Sequence, residues 1–214
     1  SLTNIFDYTN LDNKEDLCYE SIKQNKVEKS LKIKKEKLKI NIIGSGSYTR
    51  NIILPAISKN KKVILDTLIS TDPVRGTNLS KTFKFNNFST DYKSIKSIDR
   101  NKNIFIANKH SKHFEITNYF LERDFNVYLE KPVTLNSKEL NTLKNTFKNS
   151  KGILFPGYNR RFSPAALAVT EIIQERASPL YINYMVNATH IDKHHWTQRY
   201  EEGGRNIGEA CHFY

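Results

Sequence analysis

Two rhythms of apolar and polar positions alternate along the chain from Lys39 onward. Short runs of branched apolar residues end at Gly, Ser or Glu. Each is followed by a stretch in which apolar residues recur every three to four positions, the mark of a helix packed on one side. The runs predict strands at Ile40–Ile43, Val63–Ser70, Asn103–Ala107, Asn126–Leu129 and Gly152–Tyr158, and a long, partly alternating strand over Pro179–Ile191. Helices are predicted over Thr49–Lys59, Thr77–Phe83 and His113–Glu122, the last with Ile116, Tyr119 and Phe120 on one face. Two more announce their own starts. Asn136 with Glu139 forms a capping-box pattern ahead of a buried face of Leu140, Leu143 and Phe147. Ser163 before Pro164 reads as N-cap and first helical residue of a helix running to about Arg176. Pro55 falls inside the first helix, a costly place unless local hydrogen bonds are rearranged. Before Lys39 the pattern is weak. Leu17, Tyr19 and Ile22 suggest one short helix, with Leu31–Ile33 extended after it.

Strands alternating with helices imply βαβ units and an α/β fold, a doubly wound Rossmann-type parallel sheet. Such a sheet takes its ligand at the carboxyl ends of its strands. The chemistry should therefore sit just after each strand.

Composition narrows the class. The 214 residues carry 34 Lys+Arg against 22 Asp+Glu, a formal net charge of +12. Residues 23–39 alone hold eight Lys and two Glu. That run reads as a solvated connector or as a phosphate-binding arm. Lys far outnumbers Arg, which argues against a reader of base edges. No apolar run approaches the roughly 18 residues of a membrane span, and no signal-peptide order is present. Two cysteines, Cys18 and Cys211, cannot build a disulfide framework. The expected compartment is the cytoplasm, with neither a membrane nor a nucleic-acid partner. The chain opens on Ser1 and has Met185 as its only Met, so it is expected to be a piece of a longer reading frame.

The first strand runs into Gly44-Ser45-Gly46-Ser47-Tyr48-Thr49. The first Gly permits a tight turn, and the second lets the backbone approach a diphosphate. The helix behind offers free amides and its positive end. The third glycine of the usual pattern is replaced by Thr49. Beyond the second strand, Asp72 suits the ribose hydroxyls of NAD, whereas Ser70, Thr71 and Arg75 suit the 2′-phosphate of NADP. Both remain open, so the expected cofactor is NAD or NADP.

Taken together, the strand ends read GSGSYTR (44–50), IANKHSKHFE (106–115), LEKPVTLN (129–136), GYNRRFSPAA (157–166) and GGRNIGEACHFY (203–214). This set resembles the Gfo/Idh/MocA oxidoreductases over residues 39–214, with Glu-Lys-Pro as its most specific element. The segment from Val186 to Phe213 is similar to members fused behind a zinc-type alcohol dehydrogenase domain. The resemblance implies an NAD(P)-dependent oxidoreductase acting on a sugar or sugar-derived alcohol. It implies an N-terminal segment or linker over 1–38, possessing in that branch the tail of an upstream domain. A dinucleotide-binding domain follows over 39–158, then the truncated start of an α+β substrate domain over 159–214. Lys131 would sit near the nicotinamide and the reacting carbinol, with its bond to Pro132 cis. Glu130 would support the cofactor end, joined by Asn108 after the fourth strand. His212 matches the family's catalytic histidine. Arg160, Arg161, His195 and Trp196 are expected on the substrate side, though solvated ion pairing suits the two arginines equally. A small sugar-type molecule is the expected partner, with a homo-oligomer open to the full-length protein.

Three departures stand against the pattern. The Asp that the family commonly has four residues before its histidine is Gly208, leaving Glu209 as the nearest carboxylate. The usual Thr-Pro after the fourth strand is Asn108-Lys109. Of the second domain's broad sheet, only an opening helix and one long strand are expected. The chain alone should therefore bind dinucleotide weakly and turn over little. A dinucleotide-binding homologue without turnover is the alternative. His190 and His194, with His195, Cys211 and His212, are metal-capable, but a structural or pocket role is expected and no metal. No G-x-S-x-G elbow supports a hydrolase.

Overall fold

A computed structural model describes residues 37–95, 102–174, 176–187 and 190–210. The expected helix around Leu17–Ile22, the extended 31–33 stretch and most of the lysine-rich run lie outside the described residues, as do Cys211 and His212. Six parallel strands form one sheet: β1 (Leu38–Ile43), β2 (Val63–Ile69), β3 (Asn87–Ser89), β4 (Asn103–Ile106), β5 (Asn126–Glu130) and β6 (Leu154–Gly157). Their order is β3-β2-β1-β4-β5-β6, so the chain winds outward from β1 in both directions. This is the doubly wound α/β arrangement that the alternation predicted.

The helices are α1 (Leu54–Ser58), α2 (Pro73–Phe83), α3 (His113–Leu121), α4 (Ser137–Asn149), α5 (Pro164–Ile173) and α6 (Gly204–Gly208). A π-helical turn, Thr49–Ile53, leads into α1. It resolves the problem of Pro55. Leu54 N–H donates to the Thr49 carbonyl, and the proline stands in the first turn of α1, where no amide donor is missed.

The pleat of β1 divides the core. Ile40 and Ile42 pack with Leu54, Leu65, Leu68 and Leu79 on one side. Ile43 joins Ile106, Phe120, Phe125, Leu129 and Leu143 on the other. Burial on both faces explains why these strands read as unbroken apolar runs. Phe120 and Phe125 are fully buried and meet edge-to-face at 4.9 Å.

Capping follows the sequence with one shift. Asn136 Oδ1 accepts from Glu139 N–H at 2.9 Å, but the return bond to Glu139 comes from Leu135 N–H at 3.1 Å, one residue early. Ser163 Oγ accepts from Ala166 N–H at 3.2 Å, as expected. Helix α2 starts four residues earlier than predicted, because Asp72 caps it and Pro73 fits its first turn.

Two expectations fail. Leu143 is buried, but Leu140 is 36% and Phe147 41% exposed, lining an apolar groove between α4 and β6 with Val133, Leu154 and Pro156. The predicted strand over 179–191 is not formed in its described residues. Residues 179–187 follow no regular element, and Tyr181, Ile182 and Met185 are 89%, 69% and 76% exposed. Alternation supplies a face, but a strand also needs a neighbour for its backbone hydrogen bonds. Among the described residues none pairs with this segment.

Candidate functional site

The turn after β1 is shaped by its two glycines in different ways. Gly44 has φ +111°, and a Cβ there would run into the Ala107 carbonyl at the end of β4. Only glycine fits both the angle and the approach. A Cβ on Gly46 would meet nothing within 4 Å. That side of the turn is open, while the amides of residues 46–48 stand at the start of a helix where no intrahelical carbonyl precedes them. Such a face suits a diphosphate. Thr49, at the third glycine's position, is fully buried, and its Oγ1 has no hydrogen-bond partner.

The β2 end is tied to this turn. Ser45 Oγ and Ser70 Oγ lie 2.6 Å apart, both residues buried. Ser70 Oγ also donates to the Asp72 carbonyl and accepts from Asp72 N–H, each at 3.1 Å. Asp72 Oδ1 accepts from Arg75 N–H at 2.9 Å, and its Oδ2 lies 3.6 Å from Arg75 Nε. Thr71 is exposed. The helix-capping use of Asp72 has a visible sequence signal in Asp72-Pro73.

After β4, Asn108 presents a buried Oδ1 with no partner. Its carbonyl lies 3.3 Å from His113 Nε2, and His113 Nδ1 lies 2.7 Å from the Pro132 carbonyl. His113 thereby joins the loops after β4 and β5 at the start of α3. Burial, the largest cause, pushes its imidazole down to about 4, so it is neutral at pH 7.

Glu130 ends β5 with a buried carboxyl group. Tyr128 Oη donates to Glu130 Oε1 at 2.7 Å. Desolvation raises the carboxyl above the usual range, opposed by bonds from Tyr128, the Lys131 amide and Tyr48. Burial and then the Glu130 carboxylate raise the Tyr48 phenol. Asn159 Nδ2 donates to Tyr48 Oη at 2.6 Å, linking the phosphate turn to the segment after β6. The Lys131–Pro132 bond is cis, and Lys131 Nζ donates to the Gly208 carbonyl at 2.6 Å.

The remaining candidates separate. Glu209 accepts from Arg205 Nε at 3.2 Å, one helical turn away. Arg161 lies 5.3 Å above the Phe162 ring, and both arginines are exposed. His195 caps a short helical turn and has Nδ1 2.8 Å from Thr197 Oγ1. Trp196 meets the buried His110 edge-on at 5.0 Å.

His110, Ser111 and Glu202 were missed by sequence reasoning. Glu202 takes both the amide and the hydroxyl of Ser111 at 3.0 Å, while its carbonyl lies 3.0 Å from His110 Nδ1. Gly208 packs on His110, where a Cβ would stand 3.0 Å from the ring. Together these contacts dock residues 196–208 onto the loop after β4. Among the described residues, no three His, Cys, Asp or Glu side chains gather as metal ligands would.

The cradle at Gly46 and the orphaned Asn108 Oδ1 both fit a dinucleotide at this edge. A model of an oxidoreductase family with an NAD-binding Rossmann fold matches residues 38–158. Oxidoreductase P35 of Formosa agariphila is 26% identical over 132 residues, covering 62% of this chain and 41% of that protein. The crystal structure of myo-inositol 2-dehydrogenase from Lactobacillus plantarum superposes with a TM-score of 0.60 at 23% identity, covering 65% of this chain and 41% of that one. GenD2 from gentamicin A biosynthesis, in complex with NAD, gives 0.61 at 20% identity, covering 66% and 40%. At these identities the structural likenesses bear on the fold alone. The chain spans about two-fifths of the length of these relatives.

Proposed function

Because the chain belongs to the Gfo/Idh/MocA oxidoreductase family through residues 38–158, we propose that it holds a nicotinamide dinucleotide for hydride exchange with a sugar or sugar-derived alcohol. The observation that carries this reading is a pairing at one sheet edge: an open turn at Gly46 and a lysine directly after β5. In this proposal the amides of 46–48 donate to the diphosphate, and Tyr48 and Glu130 border the cofactor's path. Lys131 keeps one N–H on Gly208 and has two more donors for a substrate oxygen. Its charge would stabilise negative charge developing there. His212 would take the hydroxyl proton, with Glu209 as the nearby carboxylate. The nicotinamide, when bound, supplies the hydride acceptor or donor.

The proposal takes 39–158 as the cofactor unit and 159–214 as the opening of a substrate-side domain bearing Arg160, Arg161, His195 and Trp196. It takes 1–38 as a connecting segment. The branch fused behind a zinc-type alcohol dehydrogenase rests on the sequence of 186–213, and the proposed setting is a cytoplasmic, homo-oligomeric full-length protein.

A second reading, dinucleotide binding without turnover, is favoured by Gly208 in place of the family's Asp. Titrating the full-length protein with NADH and NADPH, then following reduced-nicotinamide absorbance with cyclitols and sugars, separates the two. Binding with turnover supports the first, and binding alone supports the second. Failure to bind either dinucleotide would sink both.

A further inference from the structure

We propose that Glu202 is a positioning residue for Lys131: by clamping the loop after β4, it holds α6 where the Gly208 carbonyl meets the lysine's ammonium. Giving that ammonium a part in hydride transfer rests on the function proposed above. The Glu202 carboxylate is buried, and one residue occupies both of its oxygens. The Ser111 amide donates to Oε2 and the Ser111 hydroxyl to Oε1, each at 3.0 Å. Ser111 lies in the helical turn His110–Lys112 that opens α3, where amides have no preceding carbonyl to serve. The main-chain oxygen of Glu202 lies 3.0 Å from Nδ1 of the buried His110. A carbonyl can only accept, so that ring nitrogen carries the proton. A buried carboxylate stripped of its donors is costly, which makes Ser111 a strict partner.

Helix α6 depends on that clamp. It has five residues, too few to hold a helix by itself. The chain enters it through Gly203 and Gly204, at φ +84° and +58°, directly after Glu202. Gly203 presses on Leu135, where a Cβ would stand 2.7 Å from Cδ2. At the other end Gly208 packs on the clamp itself. A Cβ there would stand 3.0 Å from His110 Nδ1 and 3.4 Å from the Glu202 carbonyl. The Gly208 carbonyl closes the helix, where no intrahelical amide follows to take it. Lys131 Nζ donates to it at 2.6 Å. Contact therefore runs unbroken from Ser111 through Glu202, His110 and Gly208 to Lys131.

Competitive acetylation of the full-length protein with acetic anhydride tests this, with each lysine read separately by peptide mass spectrometry. Glu202→Ala should raise labelling at Lys131 about threefold or more, as its bond to Gly208 loosens. Lys138 and Lys144, on α4, should keep their parental labelling. Glu202→Gln retains one acceptor for Ser111 and should reverse part of the rise. Ser111→Ala removes the hydroxyl bond alone, a milder change to the fold, and should give a smaller rise at Lys131. Unchanged labelling of Lys131 in Glu202→Gln and Ser111→Ala would overturn the proposal. So would a rise shared equally by Lys138 and Lys144, since that reports general loosening. A selective rise in a protein that binds neither NADH nor NADPH would leave the clamp standing and remove the hydride-transfer reading instead.

Discussion

The Lys131 ammonium and the Gly208 carbonyl meet at 2.6 Å across 77 residues of sequence. Gly208 stands where the resemblance places an aspartate, and the lysine rests on its main-chain oxygen. A neutral acceptor holds an ammonium less tightly than a charged one. Two further N–H donors of the lysine remain beyond this bond. Replacing it by Met is expected to lower any turnover by about 10²-fold or more, with dinucleotide affinity changed by less than about threefold. Steady-state kinetics and a binding titration on the same preparation check the split. Affinity falling in step with turnover would place Lys131 in general binding instead.

The two glycines of the turn should respond in opposite ways. Gly44→Ala forces a side chain into a positive φ and against the Ala107 carbonyl. It should cost at least about 2 kcal/mol and be visible in thermal melting. Gly46→Ala meets open space. Its melting temperature should hold or rise slightly, since alanine restricts the unfolded chain, while dinucleotide binding is lost. Retained binding in Gly46→Ala would mean that no diphosphate approaches there.

His113 sets an acid limit on the fold. Its folded value of about 4 lies below its ordinary 6.5. Between those values the unfolded chain binds more protons, so stability falls as pH drops from 6.5 towards 4. The full effect is roughly 3 kcal/mol. His110, also pushed down by burial, acts in the same direction. His113→Gln should flatten the dependence of melting temperature on pH across this window. An unchanged slope would mean that the ring is not neutral in the fold.

Glu130 acts with the opposite sign. Its folded value is raised by burial, so its burial costs stability increasingly as pH rises past the ordinary carboxylate range. Glu130→Gln, which keeps an acceptor for Tyr128, should gain stability over the parent at pH 8. The gain should shrink as pH falls. Denaturant melts at pH 5 and pH 8 read the difference, and equal gaps would remove the carboxyl group as the cause.

Much of this was legible locally. The apolar runs marked five of the strands, four of them inside the sheet and β6 at its edge with Phe155 and Pro156 exposed, and Asn136 and Ser163 marked helix starts through bonds made within three residues. Strand β3 escaped because Asn87-Phe88-Ser89 is three residues long with one apolar position. The segment 179–187 misled because alternation describes a face and says nothing of a neighbour. Glu202 and Ser111 lie 91 residues apart and obey no period, so no spacing could pair them. Asp72 was visible as a candidate, but its capping bond to the Arg75 amide depended on the conformation of its own backbone.

The sheet order carries a consequence for synthesis. Strand β1 sits between β2 and β4 yet precedes both along the chain. A nascent polypeptide must therefore keep one margin of its central strand unzipped until residues 103–106 have left the ribosome. Chaperone capture should be strongest on chains halted before that point and should fade once they pass it.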